Sequence, residues 1–253
     1  MEIKASEEKM SNVFYVNADD FGYSARVNEA IVACFNKKIV NRTTVMVNMP
    51  SSESARFLAK ENGFLDRVGL HITLTEGQPI LETTRTSFLC DNTGYFTKEI
   101  RKRKYLFFLT PAQKQIVVSE VEAQIQRYVS DGYTLMHADS HQHVHTNPSV
   151  YFAIRPLLKK HGFKSVRISR NLFSSVGRSV LKELYKRLFN TIVKRDFNRK
   201  NCFMGAISEY EVAKNLVLKG GNVEIMVHPD YCNGTLVDKT NNMNIALENY
   251  TFI

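Results

Sequence analysis

Apolar runs of strand length alternate along this chain with segments of helical period, and that alternation limits its fold more than any other feature. VFYVNA at 13–18 precedes a helical pattern from Ser24 to about Lys37, and TTVMVNM at 43–49 precedes another from Ser52 to Glu61. RVGLHITL at 67–74 leads into a long polar loop over 75–110. A helix is predicted over 111–129. Pro111 suits its first turn, Asp131-Gly132 its stop, and Ile116, Val117, Val121, Ile125 and Val129 form its apolar stripe. TLMHADSH at 134–141, a helical Pro148 to Lys160, SVRIS at 165–169, two further helical segments and a last strand, VEIMVHP at 223–229, complete the run. Strands alternating with helices build a parallel sheet, and repeated units at this length favour a distorted, TIM-like (β/α) barrel over an open sheet. With 253 residues, 43% of them apolar, one full core is affordable, and a single domain over 1–253 is the simplest organisation.

Composition narrows the setting. The first residues, MEIKASEEKMSN, lack the apolar core of a signal segment, and no run of about 18 apolar residues occurs. Cys34, Cys90, Cys202 and Cys232 are scattered, with no metal spacing, which points to a reduced, cytoplasmic protein. The net charge of +9 is concentrated: from Arg155 to Lys200 there are fourteen Lys and Arg against Glu183 and Asp196 alone. That surplus exceeds the total, so the rest of the chain is slightly acidic. The block is either a solvated face or a surface for an anionic partner.

In parallel βα folds the chemistry gathers at the carboxyl ends of strands. Asp19 and Asp20 end the first strand, His71 nearly ends the third, HADSHQHVH at 137–145 follows the next, and His228 ends the last. Taken singly, each has a plain structural use: a strand-end histidine is often just hydrogen-bonded, and an aspartate at such a junction is often a helix cap. Ser24, however, is the better-placed cap for the helix that follows. His141, His143 and His145 stand at alternate positions and would share a face in an extended segment. Carboxylate and imidazole together suit a divalent cation with an open position, and one carboxylate of the Asp19-Asp20 pair could bind it while the other acts as base.

NADDFG at 17–22, GLHITL at 69–74, DSHQHVH at 139–145 and VHP at 227–229 resemble, in order, the motifs of the YdjC-like carbohydrate deacetylases, a group that includes chitooligosaccharide and hopanoid-pathway members. The likeness runs from about Val13 to Tyr231. It implies a distorted (β/α) barrel that hydrolyses the N-acetyl group of an acetylated amino sugar with a divalent metal. Position by position, it implies Asp20, His71 and His141 as metal ligands, Asp19 as base and His228 as acid. Asp139 would hold a ligand imidazole, and His143 and His145 would line the pocket or orient ligands. Phe21, Tyr23 and Tyr231 flank the motifs and could stack on sugar. The resemblance implies Mg2+, whereas two imidazoles favour Zn2+ or another transition metal.

Two features depart from the family pattern. After His228 little of a terminal helix is legible, which is the expectation for a short or truncated member with exposed last strands. The segment 171–200 is strongly basic with helical period: Val176, Val180, Leu184, Leu188 and Ile192 form a stripe flanked by Leu181, Phe189 and Val193, with Arg178, Lys182, Lys186 and Arg187 opposite. That is the pattern of a helix packed on its own core, or of an interfacial helix on an anionic membrane surface beside a lipid-linked substrate. Two rivals to the deacetylase are a metal-dependent phosphoesterase on the same ligands, and a non-enzymatic binder of nucleic acid or another anion. No nucleic-acid motif is legible, and none is expected as a partner. A homodimer is compatible with the sequence, which does not fix the oligomeric state.

Overall fold

The computed structural model describes residues 13–102, 108–172, 179–240 and 245–250. Its first half runs β1 (Phe14–Phe21), α1 (Ala25–Asn36), β2 (Arg42–Val45), α2 (Ser52–Glu61), β3 (Val68–Ile72), α3 (Glu82–Arg85), α4 (Glu99–Lys102), α5 (Pro111–Ser130) and β4 (His137–Ser140). It continues with α6 (Pro148–Lys160), β5 (Ser165–Val166), α7 (Val180–Asp196), β6 (Cys202–Ala206), α8 (Tyr210–Leu218), β7 (Asn222–Val227), β8 (Pro229–Cys232), β9 (Thr235–Asp238) and β10 (Ile245–Ala246). Seven strands form one sheet in the order β5-β4-β3-β2-β1-β7-β6, and every pair in it is parallel. That is the cyclic order of a barrel opened between β5 and β6, which makes the sheet a distorted TIM-like half-barrel. Across the opening, the backbone N–H groups of Asn171 and Leu172 both donate to the Met204 carbonyl of β6 at 3.0 Å.

The two faces of this sheet differ in chemistry. Val16, Ala18, Val45, Leu70, Ala138, Val166, Ile225 and Val227 belong to the buried core. The alternate positions carry polar groups. The register sets Asn17 beside Arg42, Thr44 beside Gly69, His71 beside Asp139 and His137 beside Ser165. Successive side chains of a strand point to opposite faces, so these residues share the inner one. A barrel interior is ordinarily filled by layers of branched apolar side chains. Here hydrogen bonds and ion pairs fill it.

Several elements differ from the sequence expectation. The loop over 75–110 is not simply polar: α3 and α4 interrupt it, and Leu89, Phe96 and Ile100 are buried. The inner face of α5 is Val117, Glu120, Val121, Gln124, Ile125 and Tyr128, while Val129 is exposed. The two polar members are there to satisfy backbone. Glu120 accepts from the N–H groups of Ile80 and Leu81, and Gln124 bonds both the N–H and the carbonyl of Thr73. VEIMVHP is not the last strand either. β8, β9 and β10 form a small antiparallel sheet after it, which buries Leu236, Val237 and Leu247. Val223, Ile225 and Val227 of β7 are buried too, so the final strand of the barrel is covered without a terminal helix. All four cysteines are free thiols.

Candidate active site

Adjacent residues of a regular strand face opposite ways, so Asp19 and Asp20 could not both reach one site from an undistorted β1. The β1–β2 register slips between Ala18 and Phe21, and Asp20 stands at φ +69°. This bulge, with a non-glycine residue in the left-handed region, turns Asp20 so that both carboxylates line the same cleft. Gly22 follows at φ +92°, and a Cβ there would lie 3.1 Å from the Met46 carbonyl oxygen. Ser24 then caps α1, accepting from the Val27 N–H at 3.3 Å.

The cleft has a volume of about 780 Å³ and opens at the carboxyl ends of the strands. At its base, Asp20 Oδ1 lies 3.1 Å from His71 Nε2 and 2.8 Å from His141 Nδ1. One donor atom from each of these residues falls within 4.8 Å of the others. His71 is fixed from behind by Asp139, whose Oδ1 is 2.6 Å from Nδ1. Thr44 Oγ1 donates to Asp139 Oδ2 at 3.0 Å. With its Nδ1–H given to Asp139, His71 presents Nε2 to Asp20 Oδ1, a position that either a proton or a metal ion can bridge.

Asp19 sits beneath this group. Arg167 grips it at both oxygens, 2.6 and 2.7 Å, and Asn17 donates to it at 2.8 Å. Arg167 also reaches Asp139 at 2.7 Å and Glu224 at 2.5 Å, and Arg42 joins Glu224 at 2.7 Å. Burial pushes the Asp19 carboxyl up, but the Arg167 guanidinium outweighs it and keeps the group ionised far below the usual carboxylate range. Burial likewise opposes ionisation of Glu224, and Arg42 and Arg167 overcome it. His137 is driven well below the ordinary imidazole value by burial and by Arg42, so it stays neutral. Four carboxylates (Asp19, Asp20, Asp139, Glu224) thus face two guanidiniums. Of these, Asp20 meets the imidazoles of His71 and His141, and one carboxylate with two converging imidazoles is the ligand chemistry of a divalent cation with open positions. The donor set therefore fits a divalent metal ion.

His228 stands at the end of β7, half-buried, with Nε2 3.8 Å from Asp19 Oδ2. Its Nδ1 is 2.7 Å from Thr240 Oγ1, and Asp238 Oδ1 accepts from its backbone N–H. Burial lowers its pKa, but Asp238, Asp19 and Asp20 raise it to about 9. The same competition, between burial and the neighbouring Asp139, Asp20 and Asp19, raises His71 to about 10.

Not every residue singled out in the sequence is placed as expected. Residues 141–146 are not extended but wind into a 3-10 helix, with Gln142 and His143 both left-handed, so the alternation argument fails. His141 and His143 line the cleft; His145 turns inward, where Nδ1 meets Ser140 Oγ at 2.5 Å and Nε2 meets the Arg167 carbonyl at 3.0 Å. Phe21 is fully buried against Phe64 and cannot stack on a sugar. Tyr231 packs on the core instead of lining the cleft. Tyr23, 39% exposed, lies along the cleft and stacks on His141. Arg42, Arg167 and Glu224 escaped the sequence reading. Arg167 and Glu224 left a signal, as charged residues at alternate positions of otherwise apolar runs (SVRIS, VEIMV), whereas Arg42, in RTTV, left none.

The model of the family described as YdjC-like protein matches residues 13–250. The chain belongs to the YdjC-like family. Among its relatives, a carbohydrate deacetylase of Clostridium beijerinckii is 32% identical over 228 residues, covering 89% of this chain and 84% of that one. One of Thermoanaerobacter pseudethanolicus is 29% identical over 228 residues, covering 88% and 83%. A crystal structure from Enterococcus faecalis, provisionally described as a cellobiose-phosphate cleavage protein, superposes with a TM-score of 0.66 at 26% identity, over 88% of this chain and 83% of that one.

Proposed function

We propose that this YdjC-like protein is a metal-dependent carbohydrate deacetylase that hydrolyses the N-acetyl group of an acetylated amino sugar. The observation that carries the reading is the convergence of Asp20, His71 and His141 beside Asp19 and His228, made possible by the bulge in β1. The names of the relatives, carbohydrate deacetylases, support the same reaction.

Asp20, His71 and His141 would hold the cation. When bound, a divalent ion supplies a Lewis acid that polarises the acetamide carbonyl and acidifies water. Asp19 takes a proton from the attacking water. Held by Arg167 it is a weak base, so it serves only where water is strongly acidified. Water oxygen adds to the carbonyl carbon, the C–N bond breaks, and His228, protonated at neutral pH, gives its proton to the departing amine. Acetate and a free amino sugar result. Tyr23 offers a ring to the sugar at the cleft wall.

Lys98, Arg101, Lys182 and Lys186 also line the cleft, and this favours a second reading, a phosphoesterase using the same ligands. Product analysis separates the two: acetate for the first, inorganic phosphate for the second. Within the first, Asp19→Asn is expected to retain the metal and lose turnover by about 10²–10⁴-fold. His141→Ala is expected to lose both. An Asp19→Asn enzyme of near-normal rate would remove the base from this scheme.

A further inference from the structure

Helix α7 is held by one face only. Phe189 and Val193 are buried, and Asn190 exchanges two hydrogen bonds with the Ser169 backbone, at 2.8 and 2.9 Å. Tyr185 donates to the Thr146 carbonyl, and Asp196 accepts from Tyr151 and Lys159 of α6. So fixed, the helix cannot roll to hide its flank, where Val180, Leu181, Leu184 and Leu188 are 81, 78, 52 and 59% exposed. Isolated exposed leucines are ordinary, but four apolar side chains along one stripe of a pinned helix are not. Position 176 of the expected stripe, like Arg178, lies outside the described residues.

The charges around that stripe say what covers it. Arg187 and Arg195 are exposed beside it, while Lys182 and Lys186 lie on the opposite side of the helix, toward the cleft. Among the described residues no carboxylate forms an ion pair with Lys182 or Arg187. A second copy docking by this face would set cationic helix against cationic helix, which is repulsive. A bilayer carrying anionic lipid complements both features, taking the leucines at the acyl boundary and the Arg187 and Arg195 guanidinium groups among headgroups. No described helix is long and apolar enough to cross a membrane, so the contact is interfacial.

We propose that the outer flank of α7 docks on an anionic bilayer and brings the cleft mouth to its surface, so that the substrate is an acetylated amino sugar carried on a lipid. The docking half stands on α7 alone; the substrate half rests on the deacetylase reading. One helix performs both tasks, because Lys182, Tyr185 and Lys186 line the cleft while Leu184 and Leu188 face out.

The test is co-sedimentation with phosphatidylcholine vesicles, with and without phosphatidylglycerol, at low and high salt. The intact protein is expected to pellet with the phosphatidylglycerol vesicles at low salt. The double substitution Leu184→Glu with Leu188→Glu is expected to weaken this by about tenfold or more. Both residues are exposed, so its unfolding midpoint and its rate on a soluble acetylated amino sugar should be unchanged. Val180→Ser with Leu181→Ser, at the start of the helix, is the second variant and should weaken binding in the same direction. Failure of the intact protein to bind anionic vesicles overturns the proposal. So does binding that both variants retain, or a homodimer that the Glu variant dissociates. Acetate release from a vesicle-borne amino-sugar lipid should exceed that from the soluble analogue, and the Glu variant should lose only this advantage. Vesicle binding without acetate from either substrate would sink the deacetylase reading and leave the docking surface standing.

Discussion

Arg167 is the residue on which the site turns. It is fully buried and joins Asp19, Asp139 and Glu224, three carboxylates from three strands. Its own charge is stabilised by them: burial disfavours the cation, and Asp139 and Asp19 more than restore it. Replacing it with Met would strand three buried acids, and a loss of about 3–5 kcal/mol in urea unfolding is expected. His228 sets a different limit. A group whose pKa is raised to about 9 is protonated at neutral pH and loses its proton as pH rises through that value. If it is the acid, kcat/KM falls with one proton above about pH 9, and His228→Gln abolishes that limb along with most of the rate. A profile that keeps the limb in His228→Gln would assign the acid to another group. At this scale the sequence was informative about which residues gather, because acids and histidines recur together at the ends of several strands, although each alone has a plain structural use. It was silent on how Asp19 and Asp20 share a cleft, since a bulge and a left-handed φ leave no mark in residue type.

At the scale of elements, the helices were the more legible part. Pro111 and Ser24 sit where first turns and caps belong, and Thr110 and Gln113 complete a capping box that the sequence analysis did not use. β6 went unread because CFMGA is short and ends in Gly and Ala, and the sheet of β8–β10 because its pairing lies in contacts between segments and not in local period. One of the side chains that hold α7 in place is titratable. Asp196 accepts from Tyr151, Arg155 and Lys159. Partial burial raises its pKa, and Lys159, Tyr151 and Arg155 lower it further than that. A depressed carboxyl gives stability that is complete above its unfolded pKa and is lost as pH falls through the folded one, so α7 should loosen in acid below about pH 4. Asp196→Ala is expected to cost about 1–3 kcal/mol at pH 7 and to flatten this acid dependence, readable by hydrogen exchange at the amides of α7.

For the whole molecule, the barrel interior is the unusual feature. Its apolar material lies between sheet and helices, while the inner face carries four carboxylates and two guanidiniums. A dication held by Asp20, His71 and His141 binds the folded chain alone and should therefore stabilise it. Metal at about one hundred times its dissociation constant is expected to add about 2.7 kcal/mol, seen as a rise in Tm that a chelator reverses. His141→Ala should abolish the rise. The measurement that bears most directly on the account is acetate release from a panel of N-acetylated sugars (free oligosaccharides, nucleotide sugars and a lipid-linked amino sugar), with and without chelator. The account predicts acetate from at least one of them, lost on chelation and restored by added divalent metal. Acetate that survives chelation, or none from any substrate while the protein demonstrably holds its metal, would contradict it.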